Sequence, residues 1–159
     1  MAENNGTTII VMSGDMDRVM AAFNIAIGAA AMGKETNMFF TFWGLKAIQK
    51  EGRFTGQGLF GKMLGMMNRG GLNAIGPSRL NMGGMGRWMF KLMMKQKGVA
   101  QLPELREACI SLGVKMLPCQ MSMDVMEIDA EDLIPGVEGV CGVASMLEMA
   151  DRSKQTLFI

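Results

Sequence analysis

Three cysteines are the side chains of this 159-residue chain best suited to covalent chemistry, because the sequence contains no His and no Tyr. Without His, the chain has no Ser-His or Cys-His nucleophile pair, no His-ligated zinc and no His general base. Three cysteines are also too few for a four-cysteine zinc or iron–sulfur site within one chain. A cysteine activated by its surroundings is therefore the leading candidate, and we expect neither a metal nor a cofactor.

Cys119 has the most informative position of the three. The run 114–118 predicts a strand that ends just before it, and the segment 119–126 predicts a short helix that begins at it. A helix N-terminus carries unsatisfied N–H groups and partial positive charge, which favour a thiolate. Such a thiolate could attack a sulfur donor and hold the sulfur as a persulfide. A free cysteine is as commonly a small buried apolar residue, so both interpretations stay open at this point.

The other two cysteines carry weaker signals. Cys109 has Leu105 and Leu112 at helical spacing on either side, which is typical of core packing. Cys141 follows a predicted strand, so we expect it at the same edge of the sheet as Cys119, where it could be a second, resolving thiol. Redox catalysis by a Cys119–Cys141 dithiol is a further alternative, although the sequence has no C-x-x-C motif.

The segments around these residues predict an α/β fold. Strands are predicted over 7–12, 36–42, 114–118, 135–140 and 156–159, and helices over 16–32, 103–112 and 141–151. Alternating helices and buried strands favour a parallel sheet with right-handed crossovers. We therefore expect a flavodoxin-like, doubly wound sheet of five mainly parallel strands. It forms a single domain over 1–159 that carries an insertion at 52–102.

The carboxyl ends of the strands define the expected binding site, because ligands of doubly wound sheets bind beyond them. The residues predicted there are Ser13, Gly14, Phe42, Trp43, Cys119, Gln120 and Cys141. Gly14, Phe42 and Trp43 would line the pocket. Ser122, three residues after Cys119, could add a hydrogen bond from its hydroxyl to the sulfur.

The insertion at 52–102 differs in composition from the rest of the chain. It holds eight basic and no acidic residues, 12 of the 21 Gly and eight of the 20 Met. Its run Gly56-Gln-Gly-Leu-Phe-Gly-Lys62 resembles nucleotide-binding loops, but Met63 stands where a P-loop requires Ser or Thr, and no buried strand precedes it. A flexible Gly-rich loop is the simpler interpretation. The clustered Met residues could hold Cu(I), but core or interface packing explains them more simply.

A predicted helix over 85–97 is both basic and amphipathic. Its basic stripe is Arg87, Lys91 and Lys95, and its apolar face is Trp88, Met89, Leu92 and Met93. Such a helix could lie on a membrane surface or dock an acidic partner. We favour packing on its own domain or on another subunit, with the basic side in solvent. No nucleic-acid-binding motif accompanies the charge, and the net charge is only +1, so nucleic acid is not an expected partner.

Three segments carry a resemblance to a known family. They are Phe39-Phe-Thr-Phe-Trp-Gly-Leu45, Leu80-Asn-Met-Gly-Gly-Met-Gly86 and Lys115-Met-Leu-Pro-Cys-Gln-Met-Ser-Met-Asp-Val-Met126. With them the chain resembles the DsrE/DsrF/DsrH-like family over about its whole length, and in particular the longer DsrE-like subgroup with a Gly/Met-rich insertion. The resemblance implies a flavodoxin-like fold, homo- or hetero-oligomers, and sulfur relay through a cysteine persulfide. The family's sulfur-carrying cysteine matches Cys119.

Residues and resemblance together predict a sulfurtransferase or sulfur carrier that exchanges sulfur with donor and acceptor proteins or small thiols. The rival is a non-catalytic interaction module whose basic, Met-rich insertion docks a protein partner or a membrane surface. We expect a cytoplasmic protein, because an odd cysteine count suggests a reducing compartment. The segment Met1–Thr8 has no signal-peptide core, and the longest uncharged run, 15 residues at 19–33, is too short to span a bilayer.

Overall fold

A computed structural model describes residues 5–159 of the chain. Residues 1–4, which belong to the polar N-terminal segment and to the predicted 1–159 domain, lie outside the described part. Among the described residues, no helix combines the length and the apolar character needed to cross a bilayer.

Four parallel strands form the sheet, in the spatial order β3-β2-β1-β4. They are β1 (Gly6–Val11), β2 (Thr36–Phe40), β3 (Lys115–Pro118) and β4 (Ser153–Phe158). In the register, Ile9 lies opposite both Met38 and Leu157, and Phe39 lies opposite Leu117. The β-branched and aromatic residues of β1 and β2 suit these two central, buried strands.

Helices connect the strands, and two of them lie within the insertion. They are α1 (Met16–Ala31), α2 (Leu59–Met67), α3 (Met85–Gln96), α4 (Leu102–Ser111), α5 (Gln120–Met126) and α6 (Val143–Asp151). A 3₁₀ helix, Phe42–Ile48, follows β2 directly. The predicted parallel α/β arrangement is confirmed, and most element boundaries agree with the sequence to within two or three residues.

The prediction of a fifth strand over 135–140 is wrong. The segment runs beside β3, where the Glu138 N–H donates to the Met116 carbonyl at 2.9 Å, but it forms no ladder. Gly136, at φ +89°, and Gly139 contribute no side chains that could be buried. Val137 packs against the core, but the other residues of the segment are exposed, so few apolar contacts hold it as an edge strand.

The two faces of the sheet are covered to different extents. On one face, α1 and α4 bury a core that includes Ile9, Val11, Met38, Phe40 and Met116. On the other, α6 packs over Phe39 and Leu117 through Met146. Strand β4 stays exposed along nearly its whole length. The α6 face is therefore thinly covered, and side chains near its margin remain close to solvent.

Candidate functional site

Cys119 lies at the junction between β3 and α5. It is the N-cap residue of α5, and its carbonyl accepts a hydrogen bond from the Met123 N–H at 3.0 Å. Its own N–H donates to the Phe40 carbonyl at 2.9 Å, which extends the pairing of β2 and β3 by one residue. The strand thus delivers Cys119 to the carboxyl edge of the sheet, but only 1% of the residue's surface is exposed.

Cys141 is paired with Cys119 in an isolated parallel β-bridge. The Cys141 N–H donates to the Pro118 carbonyl at 3.0 Å, and the Gln120 N–H donates to the Cys141 carbonyl at 3.1 Å. Paired residues of parallel strands project to the same face, and their chains lie about 4.8 Å apart. The structure therefore brings the two cysteines of the predicted edge together. The bridge also occupies the first N–H of α5, which is then not available to the Cys119 sulfur.

Both cysteine side chains lie on the α6 face. Cys119 packs with Phe39, Leu117 and Met146, and Cys141 packs against the same cluster. Cys119 is buried, whereas Cys141 is partly exposed. Burial raises the pKa of the Cys141 thiol, and the neighbouring Cys119 raises it further. Of the two residues, Cys141 is the more accessible to a molecule in solution.

Ser122 contacts the end of β2. Its hydroxyl oxygen lies 2.7 Å from that of Thr41, and both residues are buried. Thr41 immediately precedes Phe42, whose φ of +44° is uncommon for a residue with a side chain. The hydroxyl pair thus connects α5 to the turn that ends β2. The predicted bond from Ser122 to the Cys119 sulfur stays a prediction, and Thr41 was not expected from the sequence.

The side chain of Gln120 points along the surface of α5. Its amide nitrogen donates to the Asp124 carboxylate at 2.7 Å, and the residue is exposed. Gln120 is therefore held beside the cysteine pair by its backbone, through the hydrogen bond to Cys141.

The other predicted pocket residues surround a separate cleft. Ser13, Gly14 and Trp43 line a cavity of about 320 Å³ beside the start of α1, and neither Cys119 nor Cys141 lines it. A Cβ atom at Gly14 would lie 2.7 Å from the Trp43 carbonyl oxygen, so glycine is needed for this close approach. Phe42 packs against the core on the α1 side. These residues share an edge of the sheet with the cysteines but face away from them.

Positive charge collects around Lys46, which the sequence did not single out. Lys46 borders both the first cleft and a second one of about 560 Å³, which Arg69 and Arg87 also line. Burial lowers the pKa of Lys46, and the charge of Arg87 lowers it further. Asp15 lines the first cleft and Glu51 lines the second, so each cleft also holds a carboxylate, and no thiol lines either of them.

Cys109 is part of the core, as its spacing predicted. It is fully buried, and its sulfur lies 3.7 Å from the Phe23 carbonyl oxygen, to which it donates. Burial raises the pKa of Cys109 to about 12, so its thiol stays protonated at neutral pH. Over residues 5–159, no group of three His, Cys, Asp or Glu side chains is arranged to bind a metal ion.

The Gly-rich motif of the insertion encloses a carboxylate of the chain itself. The N–H groups of Gln57 and Gly58 donate to Oε2 of Glu127, just before α2 begins. A Cβ atom at Gly61 would overlap this carboxylate, so the third glycine of the motif makes room for it. The loop thus uses the anion-binding property of a helix N-terminus to attach the insertion to the end of α5.

The prediction that α3 packs its apolar face on its own domain with its basic side in solvent is wrong, whereas packing of that face on another subunit stays a prediction. Arg87 donates to the Ala74 carbonyl at 2.9 Å, and Lys91 donates to the Asn73 side-chain oxygen at 3.1 Å. Trp88 is 67% exposed and Met93 is 53% exposed. The oxygen atoms of Asn73 and Ala74, in the loop before α3, accept hydrogen bonds from the basic side of the helix. Its apolar side therefore faces solvent, and of the three-residue basic stripe only Lys95 is exposed.

Comparison with known proteins agrees with this architecture. The sequence model of the DsrE/DsrF/DrsH-like family matches residues 3–158. The chain belongs to this family. A DsrE-like relative from Allochromatium vinosum, the sulfur carrier protein DsrE2, is 36% identical over 159 residues, which cover 99% of each chain. The uncharacterized protein YrkE of Bacillus subtilis is 40% identical over 154 residues, or 96% of each chain.

The DsrE-like fold is also seen in a distant solved structure. The crystal structure of the YchN protein from E. coli superimposes with a TM-score of 0.60 and covers 98% of this chain and 99% of its own. Because the two sequences are 12% identical, this similarity concerns the fold alone.

Proposed function

We propose that the chain is a sulfurtransferase or sulfur carrier that holds sulfane sulfur as a persulfide on Cys119. The observation that carries the proposal is the position of Cys119, at the end of β3 in a bridge with a second thiol. Membership of the DsrE-like family and the name of the Allochromatium vinosum relative, a sulfur carrier, support the same role. Its partners would be sulfur-donor and sulfur-acceptor proteins or small thiols of the cytoplasm.

The chemistry needs only the cysteine and a donor. The Cys119 thiolate attacks the outer sulfur of a donor persulfide, R–S–SH, and a new sulfur–sulfur bond forms on Cys119. The donor's sulfur–sulfur bond breaks, and its electron pair leaves with the donor as a thiolate. Because the step is an exchange between thiols, it requires no general base such as His and no external oxidant or reductant.

The local apolar surface suits an exchange between proteins. Val140 and Val143 flank Cys141 in the sequence, and both are exposed, as is Leu147 one turn later in α6. Exposed apolar residues around a partly buried thiol favour docking of another protein and exclude water from the transfer. A second copy of the chain could use the same surface, as the expected homo-oligomer requires.

The test is mass spectrometry after the protein has been exposed to inorganic polysulfide and desalted. We expect an adduct of one sulfur atom that maps to the Cys119 peptide and disappears in Cys119→Ser. Cys109→Ser is the matched control, because its thiol is buried away from the site, and it should keep the adduct. A protein that takes up no sulfur on Cys119 would rule out the carrier function.

The exposed apolar face of α3 favours a second candidate, a non-catalytic interaction module. Trp88 and Met93 would dock a protein partner or a membrane surface through the insertion, and Cys119 would be structural. Co-sedimentation with anionic phospholipid vesicles tests the membrane version. Because Arg87 and Lys91 bond within the insertion, binding should depend on Trp88 more than on the charge of Lys95. Trp88→Gln should then abolish sedimentation, and Lys95→Gln should retain it.

A further inference from the structure

Cys119 is the proposed sulfur carrier, but its position limits exchange with molecules in solution. Its residue surface is 1% exposed, and Phe39, Leu117 and Met146 surround it. Thiol exchange requires the attacking sulfur to approach along the line of the bond that breaks, so a buried persulfide is poorly placed to meet an external thiol. The site therefore needs either a local opening or a second group that reaches the surface.

Cys141 has the properties that such a group requires. The bridge fixes its backbone beside that of Cys119 through hydrogen bonds of 3.0 and 3.1 Å. The spacing of paired parallel chains, about 4.8 Å, lies inside the range of about 4.4–6.8 Å at which two cysteine Cα atoms allow their sulfurs to bond. Both side chains belong to the same cluster on the α6 face, and only Cys141 reaches solvent.

We propose that Cys141 is the exit thiol of the carrier, and that sulfane sulfur moves from the buried Cys119 to the partly exposed Cys141. The proposal rests on the persulfide function of Cys119 proposed above. It assigns the two cysteines different roles: Cys119 stores the sulfur away from water, and Cys141 exchanges it with the acceptor.

The transfer step is balanced within the pair. The Cys141 thiolate attacks the terminal sulfur of the Cys119 persulfide, and a bond forms between that sulfur and Cys141 Sγ. The bond between the terminal sulfur and Cys119 Sγ breaks, and its electron pair stays on Cys119 as a thiolate. The terminal sulfur keeps its hydrogen, so Cys141 becomes the persulfide. No atom is lost and no net oxidation occurs.

The raised pKa of the Cys141 thiol makes the transfer step dependent on pH. Burial and the neighbouring Cys119 both disfavour a Cys141 thiolate. Because this thiolate is the attacking group, transfer to Cys141 should become faster as the pH rises.

The test compares discharge of the loaded wild-type protein with that of Cys141→Ser. Both are loaded with inorganic polysulfide, desalted and mixed with reduced glutathione, and the adduct is followed by peptide mass mapping. We expect the wild-type adduct to be found on both cysteines, and the variant to keep it on Cys119 and discharge at least about tenfold more slowly. Cys109→Ser, matched in chemistry and remote from the site, should discharge like the wild type.

The outcomes separate this proposal from the function on which it rests. If Cys141→Ser loads on Cys119 and discharges as fast as the wild type, the exit role of Cys141 is wrong and the carrier function stands. If neither protein loads Cys119, the carrier function itself fails. If the wild type instead forms a Cys119–Cys141 disulfide with release of sulfide, Cys141 resolves the persulfide and does not pass it on.

A second measurement avoids any dependence on how the variant folds. The unloaded wild-type protein is alkylated with iodoacetamide at about pH 9, close to the ordinary pKa of cysteine, and the modified peptides are quantified over time. We expect Cys141 to be modified before Cys119, and Cys109 last. Faster modification of Cys119 than of Cys141 would overturn the proposal, because Cys119 would then exchange with solution directly.

Discussion

The hydroxyl oxygens of Ser122 and Thr41 lie 2.7 Å apart at the buried contact between α5 and the end of β2. Ser122 is three residues from Cys119, and Thr41 directly follows Phe40, whose carbonyl accepts the Cys119 N–H. The hydroxyl pair and this backbone bond hold the first turn of α5 against β2 from two sides. The position of Cys119 therefore depends on β2 as well as on its own strand.

Replacement of Ser122 with Ala should destabilise the fold, because the Thr41 hydroxyl would remain buried without its partner. We expect a loss of about 1–2 kcal/mol in the free energy of unfolding, measured by urea denaturation. The double variant Ser122→Ala/Thr41→Val removes both hydroxyls and should recover part of the loss. The exposed control Ser111→Ala should change stability by less than about 0.5 kcal/mol.

Sulfur loading of the same variant separates the two roles considered for Ser122. If its hydroxyl serves only Thr41, Ser122→Ala should load Cys119 like the wild type. If it also supports the Cys119 sulfur, loading should fall, and Thr41→Val should not reproduce that fall.

The stability of the double variant Ser122→Ala/Thr41→Val tests the contact itself. If its loss of stability equals the sum of the losses of the two single variants, the hydroxyls do not interact.

Removal of the Glu127 carboxylate should loosen the insertion without unfolding the sheet. Glu127→Ala takes away the acceptor of the Gln57 and Gly58 N–H groups, so these amides should lose protection in hydrogen exchange. Gly61→Ala should have the same effect, because the added Cβ displaces the carboxylate. Glu131→Ala, an exposed acid on the next turn of chain, is the control. Unchanged protection at Gln57 and Gly58 would contradict the proposed attachment.

The parts of the fold that the sequence predicts well are those in which pattern and burial agree. Strands β1, β2 and β3 are short runs of β-branched or apolar residues, and the sheet buries nearly all of them. The predicted strand over 135–140 did not form, because Gly136 has a φ of +89°, outside the extended region, and all residues of the segment except Val137 are exposed. The apolar face of α3 was correctly identified. A helical pattern does not show, however, which face of the helix packs on the domain and which faces solvent. The carbonyl of Ala74 and the side chain of Asn73 decided that.

The site was predictable to the level of the sheet edge. The strand-end rule places Cys119 at this edge, and Cys141 is paired with it in a bridge although the strand predicted before Cys141 is absent. The same rule also gathered Ser13, Gly14 and Trp43, which line a cleft beside α1. Residues at one edge of the sheet can point to either of its two faces. Which face a residue points to depends on whether it packs against α1 or against α6. The Thr41 and Glu127 contacts join residues 81 and about 70 positions apart, a distance over which no local pattern operates.

The buried thiol of Cys109 should make the protein less stable in alkali. Its pKa rises from 9.0 to about 12 on folding. Below pH 9 the thiol is neutral in both states, but between about 9 and 12 it ionises only in the unfolded chain, so the free energy of unfolding falls as the pH rises. Cys109→Ala should be about 1 kcal/mol less stable at pH 7, and should lose less stability between pH 8 and 10.5.

Urea denaturation at several pH values measures this difference. Cys141→Ala is the comparison, because burial and Cys119 also raise the pKa of Cys141 and its ionisation acts in the same direction. Cys109 is fully buried, whereas Cys141 is partly exposed. The alkaline decrease in the free energy of unfolding should therefore be reduced more by Cys109→Ala than by Cys141→Ala. An alkaline slope identical to that of the wild type would mean that the Cys109 thiol ionises in the folded protein.

Lys46 should oppose folding at neutral pH, since burial and the charge of Arg87 lower the pKa of its amine in the folded state, with Asp15 offsetting part of this. The penalty on the charged form is complete below the folded-state pKa and disappears as the pH rises toward the unfolded value of 10.5. Lys46→Met should therefore stabilise the protein at pH 7, by no more than about 1 kcal/mol because water still reaches the amine and screens it. The gain should shrink as the pH approaches 10.5, and the exposed control Lys97→Met should show neither the gain nor its pH dependence. If Lys46→Met is less stable than the wild type at pH 7, the charged amine of Lys46 does not oppose folding, and the prediction is wrong.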